Sequence, residues 1–170
     1  KQVQQIANYF STRLLTLLIY LKTLHGTAET GVAMSSIEEI LLRTKTIAVV
    51  GLSDNPTRSS YGVAQYLQKQ GYRIIPVNPK LTHKVLGEQV YGTLQEIREP
   101  IDLVDIFRRS VDVPPIVDAA IAIGVSAIWM QLGITNMEAA EKAHQAGIDV
   151  IMDKCTAIEH RFLNIGPINT

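Results

Sequence analysis

The stretch Ile47-Ala48-Val49-Val50-Gly51-Leu52-Ser53-Asp54-Asn55-Pro56-Thr57-Arg58-Ser59-Ser60 decides the fold. Residues 47–50 form a continuous apolar run, the pattern of a strand buried on both faces. Gly51 ends the run, and a polar, turn-rich loop follows. From Ser60 to Gln70, Val63, Ala64 and Leu67 share one helical face, and Gly71 stops the helix. Further along, residues 72–77 form a second strand, in which Pro76 is odd for a central position and hints at a terminus or an irregularity. Residues 82–92 are polar and turn-rich, and a short helical turn follows from Thr93 or Leu94 to Arg98. A third strand over 101–107 leads to a helix over 113–123 with Pro114 and Pro115 in its first turn, where proline is tolerated. A fourth strand covers 127–130. A helix over 137–146, capped by Asn136 and stopped by Gly147, leads to a fifth strand over 148–152.

Five strands alternating with helices predict an α/β fold with a parallel sheet covered on both faces. With right-handed crossovers, the expectation is a Rossmann-like, doubly wound, five-stranded sheet of order 3-2-1-4-5. The chain has 170 residues, 46% hydrophobic and 19% charged, which suits one globular domain. Lys plus Arg and Asp plus Glu both number 16, so the net charge is zero, which argues against broad capture of nucleic acid. A single cysteine, Cys155, excludes an internal disulfide and suggests a reducing, cytoplasmic setting. No apolar run is long enough for a membrane span.

Residues 1–33 read differently. Ile6, Phe10, Leu14, Leu17, Leu18, Leu21 and Leu24 recur at helical spacing, an extra amphipathic N-terminal helix ending near His25-Gly26-Thr27. Three readings of this segment stay open: a dispensable extension, a docked helix or a targeting segment. A self-contained domain over 34–170 begins at Met34, with Ser35 or Ser36 capping a helix whose first turn holds Glu38 and Glu39.

In open α/β sheets ligands bind beyond the carboxyl ends of the strands, at the switch point. That rule selects four loops. In the first, Gly51 permits close backbone approach, Ser53, Asn55 and Pro56 shape the turn, Arg58 supplies a positive charge, and Ser59 opens a helix whose free N–H groups suit a phosphate. The loop is not a G-x-G-x-x-G fingerprint, because no glycine follows Gly51 until Gly62. The second loop, Asn78-Pro79-Lys80, lacks the acid that would bond a ribose 2′-hydroxyl, which favours NADP or coenzyme A over NAD. Lys80 is equally read as a solvated lysine. The third loop carries Phe107, Arg108 and Arg109. Neighbours on a strand point to opposite faces, so one arginine at most is expected to face a ligand. The fourth carries Gln131 and Gly133. No metal-binding pattern and no catalytic constellation stand out, and the histidines, His25, His83, His144 and His160, fall outside these loops without an evident carboxylate partner.

The first loop with its strand and helix resembles that of the stand-alone CoA-binding domain proteins. So do residues 71–79, Val104-Asp105-Ile106-Phe107-Arg108-Arg109, Trp129-Met130-Gln131-Leu132-Gly133 and Met152-Asp153-Lys154-Cys155. The resemblance spans about residues 36–161. It implies a Rossmann-like fold similar to the CoA-binding domain of succinyl-CoA synthetase α subunits, with coenzyme A across the four loops and its adenosine end near the second strand. Lys154 stands where the family resemblance leads one to expect arginine. In the synthetases a phosphorylated histidine from a further domain is required; 170 residues leave no room for it, so ligase activity is not expected.

The expectation is therefore a protein that binds coenzyme A or an acyl-CoA without catalysis, with no nucleic-acid or membrane partner and an unknown protein partner. The alternatives are an NADP-dependent oxidoreductase, weakened by the missing glycine fingerprint and the lack of a Tyr-x-x-x-Lys pair after the fourth strand, and a protein-interaction module. Cys155 follows the fifth strand on the ligand edge and is read either as a small buried hydrophobe or as a thiol able to exchange with that of coenzyme A, ionised with the help of Lys154.

Overall fold

The computed structural model of the chain describes residues 35–168. The amphipathic pattern between residues 6 and 24 and the domain start at Met34 lie outside the described residues. The elements run α1 (Ile37–Arg43), β1 (Thr46–Val50), α2 (Ser59–Lys69), β2 (Arg73–Val77), a 3-10 turn (Leu94–Glu96), β3 (Leu103–Ile106), a second 3-10 turn (Ser110–Asp112), α3 (Val113–Ile123), β4 (Ala127–Met130), α4 (Met137–Gln145), β5 (Asp149–Ile151) and α5 (Thr156–Phe162). Ser36 caps α1 through a reciprocal box with Glu39, and Asn136 caps α4 by accepting from the Ala139 N–H at 2.9 Å. No helix among the described residues is long and apolar enough to cross a membrane.

The five strands are all parallel, as expected, and the sheet is doubly wound. The strand order corrects the expectation of 3-2-1-4-5: it is β2-β1-β3-β4-β5. β3 lies beside β1 rather than outside β2, so β2 is an edge strand. Pro76 gives the physical reason. Along β2, Arg73 donates to Lys45 O and Val77 O accepts from the Gly51 N–H, so alternate residues face β1. Pro76 falls in the other set, and its missing N–H points to the outer edge, where its carbonyl accepts from Tyr91 at 3.0 Å. With a full strand outside β2, Pro76 would remove a ladder donor; as an edge residue it removes none.

Strand alternation divides the core in two. Ala48, Ile75, Val77, Val104, Ile106, Ile128 and Met130 face α3 and α4. Ile47, Val49, Ile74, Leu103, Ala127 and Trp129 face the side covered by α1 and α2. Most of these side chains are fully buried, each large one contributing about 1.5–3 kcal/mol. Trp129 is fully buried and donates its indole N–H to Lys154 O at 2.6 Å, which ties β4 to the loop after β5.

The helix α5 packs against α1 and α2 with polar as well as apolar groups. His160 is fully buried, its Nδ1 lies 3.0 Å from the Tyr66 hydroxyl, and its ring stands edge-on to Tyr66 and Tyr72. Its Nε2 is buried without a partner. Burial, with the neighbouring Arg161 charge, pulls the His160 pKa below its ordinary value. The group therefore contributes stability above the unfolded pKa of about 6.5, and that contribution is lost as pH falls through the lower folded value. His160→Gln should cost about 1–3 kcal/mol at pH 7.5, and the gap in melting temperature between variant and wild type should narrow as pH is lowered to 5.5. A gap that is constant with pH, measured by scanning calorimetry, would refute the assignment.

Candidate functional site

The carboxyl ends of β1, β3 and β4 open into a cavity of about 620 Å³. Its first wall is the loop after β1. Gly51 has φ +88°, and a Cβ there would lie 2.6 Å from the Phe107 carbonyl oxygen and 2.9 Å from Arg108 Cδ. Only glycine fits both the dihedral and the space. Beyond it the loop is braced by its own side chains: Ser53 Oγ accepts from the Asn55 N–H at 3.1 Å, Asn55 Oδ1 from the Thr57 N–H at 2.9 Å, and Ser60 Oγ from the Ser53 N–H at 3.1 Å. This bracing delivers Arg58 to the N-cap position of α2, where no side chain caps the helix. The start of α2 is left open toward the cavity, with Ser59 and Ser60 lining it.

Across from α2 stand Phe107, Arg108 and Arg109. Both arginines line the cavity, which corrects the expectation of one at most. β3 ends at Ile106, so the strand alternation no longer governs them. Asp112 anchors the pair, at 2.9 and 3.0 Å from Arg109 and 3.7 Å from Arg108. The hydrogen bond from Arg109 holds the Asp112 carboxyl below its ordinary pKa. Arg58 is exposed and enters no ion pair among the described residues.

A second cavity of about 420 Å³ lies toward β2, lined by Val77, Pro79, Leu94, Val111 and Ile116 among others. It shares Gly51 and Arg108 with the first. Of the residues expected at the site, Gly51, Ser53, Arg58, Ser59, Phe107, Arg108 and Gln131 meet in the larger cavity, and Pro79 lines the smaller. Asn55, Pro56, Asn78, Lys80 and Gly133 line neither. Asn78 instead joins two loops, donating to Leu52 O at 2.9 Å and accepting from the Lys80 N–H at 3.0 Å. Gly133 (φ +80°) completes a turn and donates to Asp153 Oδ1 at 2.7 Å. Ser60, Arg109 and Leu132, which stand in the loops selected from the sequence, also line the larger cavity. Val63, Ile134 and Ile158 line it from outside those loops and were missed. Ile158 could not have been found from the sequence, because it lies on α5, whose buried face shows no apolar stripe.

One further expectation is corrected. His83 does have a carboxylate partner, Asp54 of the first loop, at 3.2 Å, on the surface away from both cavities. Cys155 is half-buried and lines the larger cavity, but the Lys154 ammonium is paired with Glu159 at 3.0 Å.

Beneath the larger cavity lies a buried polar cluster. Gln131 Nε2 donates to both oxygens of Asp105, at 2.8 and 3.0 Å, and lies 2.6 Å from Thr156 Oγ1, which itself donates to Asp105 at 3.2 Å. The cluster fixes the side chain of Gln131 from below and joins β3, β4 and α5. Burial pushes the Asp105 pKa up to about 7 against the opposing effect of these hydrogen bonds.

The sequence profile of the CoA binding domain family matches residues 45–161. An uncharacterized protein of Bacillus subtilis, YneT, is 43% identical over 126 residues, which cover 74% of this chain and 93% of that protein. A solved structure from Thermus thermophilus, described as cell-free ID.343, superposes with a TM-score of 0.73 at 34% identity, covering 76% of this chain and 99% of the other. An ADP-forming acetate–CoA ligase of Methanocaldococcus jannaschii is 25% identical over 129 residues, covering 71% of this chain but only 18% of the ligase. The chain has a Rossmann-like α/β fold. It belongs to the CoA-binding domain family.

The raised pKa of Asp105 has a defined sign. Its stabilising contribution is complete below the unfolded value of about 3.9 and is lost as pH rises through 7. The melting temperature of Asp105→Asn relative to wild type should therefore climb between pH 5 and 8 and level off above. A difference independent of pH would show that Asp105 does not titrate in this range.

Proposed function

We propose that the protein binds coenzyme A or an acyl-CoA across the carboxyl edge of its sheet and performs no catalysis of its own. The observation that carries this reading is the convergence, beside the bare Cα of Gly51, of the open start of α2 with Arg58, Arg108 and Arg109. Free helix N–H groups and guanidinium groups together suit a diphosphate. The smaller cavity, with Val77 and Pro79 at the end of β2 and Leu94 of the first 3-10 turn, takes the adenosine end. The pantetheine arm runs through the larger cavity toward Gln131 and Cys155. Family membership supports the same ligand. The non-catalytic part of the reading is supported by the histidines of the described residues, none of which lines either cavity.

Calorimetric titration tests the proposal. Coenzyme A should bind more tightly than NAD, since no acid follows β2; tighter binding of NAD would overturn it. Arg58→Ala should weaken coenzyme A binding by about one to two decades, since a hydrogen bond to a charged group is worth about 1.5–3 kcal/mol. The melting temperature without ligand should barely change, because an exposed arginine adds little to the fold. Arg58→Lys should restore part of the loss, lacking the bidentate fork. Wild-type affinity in Arg58→Ala would remove the diphosphate from the first loop.

A further inference from the structure

One lining side chain of the larger cavity has two chemically different ends. Gln131 lines the cavity and is only 3% exposed. Its backbone is held on both sides: the N–H donates to Ile106 O at 3.3 Å, and the carbonyl accepts from the Ile134 N–H at 2.8 Å. The hydrogens on its Nε2 are taken up below, by the oxygens of Asp105 and by Thr156 Oγ1. Its Oε1 accepts from no group among the described residues, yet it is not one of the buried atoms left without a partner. The carbonyl end is therefore the part of the amide that meets the cavity, as a hydrogen-bond acceptor.

Asp105 dictates this orientation. An ionised carboxyl only accepts hydrogen bonds, and donors surround it here: Gln131 Nε2 at 2.8 and 3.0 Å and the Thr156 hydroxyl at 3.2 Å. A proton on Asp105 adds a donor to a cluster already made of donors. Turning the Gln131 amide over relieves the conflict, because Oε1 then accepts from Asp105 and Nε2 faces the cavity. The turn exchanges two atoms of nearly equal size and leaves the backbone in place. No charged side chain sets the balance. Burial, opposed by the hydrogen bonds from Gln131, Thr156 and the Ile106 backbone, accounts for the raised pKa of Asp105, with no contribution from Arg58, Arg108, Arg109 or Cys155 around the cavity. On α5, Glu159 is paired with Lys154, and His160 is turned to Tyr66 of α2. The flanking strands β1 and β4 place Val49 and Trp129 in register with Asp105.

We propose that Gln131 is a proton-linked selector of the ligand's arm: with Asp105 ionised it offers its carbonyl oxygen to a donor on the arm, and with Asp105 protonated it turns its NH2 group to the cavity and rejects that donor. This rests on the binding of coenzyme A at the same cavity and adds a control on it. The pantetheine arm carries amide N–H groups and a thiol, each able to donate. Asp105 is a positioning residue, since it reaches the ligand only through Gln131. Binding of the arm favours the ionised carboxyl, so by linkage the affinity grows as pH rises through the titration of Asp105.

The test is a calorimetric titration of the full chain at pH 6, 7 and 8 with coenzyme A and with adenosine 3′,5′-bisphosphate, which has the phosphorylated adenosine but no arm. Wild type is compared with Asp105→Asn, which removes the titrating group, and with Gln131→Met, which removes the amide at nearly constant length; either variant supplies the comparison if the other fails to fold. Dividing the wild-type affinity by that of a variant cancels the titration of the ligand's own phosphates. For coenzyme A this ratio should rise on the order of fivefold from pH 6 to pH 8, the worth of one neutral hydrogen bond. For the bisphosphate it should stay constant. S-methyl-coenzyme A locates the donor within the supported proposal: a rise retained assigns it to an amide N–H, and a rise lost assigns it to the thiol. A coenzyme A ratio independent of pH overturns the selector and leaves the coenzyme A reading standing. An equal rise with the bisphosphate also overturns it, because the arm then plays no part. Failure of the wild type to bind coenzyme A at any pH overturns the coenzyme A reading instead.

Discussion

The Phe107 carbonyl stands 2.6 Å from where a Cβ on Gly51 would be, and the site is organised around that approach. β1 is flanked by β2 on one side and β3 on the other, so the backbone leaving β1 must pass between two exits that diverge. Val50 O accepts from the Phe107 N–H at 2.9 Å, and the Gly51 N–H donates to Val77 O at 2.8 Å. The chain is thus pinned to both neighbours at the point where it turns away. The two cavities lie on either side of this pinned residue and share it, with Arg108 folded against it. The order in which the strands associate therefore decides where a ligand can lie, as the switch-point rule requires.

Much of the scaffold was legible in the residues. β4 and α3 fall where the apolar runs and the paired prolines placed them, because Gly124 and Gly133 punctuate their ends at positive φ. α5 was not legible. Its buried side presents Thr156, Ala157 and His160, small or polar groups that match the needs of Asp105 and Tyr66 rather than a greasy stripe. The strand order was misread although Pro76 carried the signal, since a proline in an apolar run reports an edge and not which strand lies beyond it. Within the site, residue types at strand ends were sufficient to place Arg58 and Arg108. They were insufficient for Asn78, whose amide is consumed by Leu52 O, a partner 26 positions away in sequence. Arg109 was lost by applying strand alternation one turn too far.

The side of the sheet beneath α5 is held by polar chemistry as well as by packing. Asp105 and His160 are both buried and both titrate against their burial, one a carboxyl pushed up and the other an imidazole pulled down. Their linkages to folding have opposite signs: as pH rises toward about 7 the Asp105 contribution is lost, while that of His160 is gained up to about 6.5. Thr156 and His160, one helical turn apart, connect the two groups through α5, so the helix senses both.

Pro76 has a consequence for how the molecule behaves among its neighbours. A sheet with open edges offers its unpaired backbone to any passing strand. On the β2 side, one outer donor is deleted by Pro76 and the adjoining carbonyl and amide are already satisfied by Tyr91. On the β5 side the strand is only three residues long. Neither margin offers a long, continuous template, so the sheet of the described residues resists edge-to-edge growth into larger sheets.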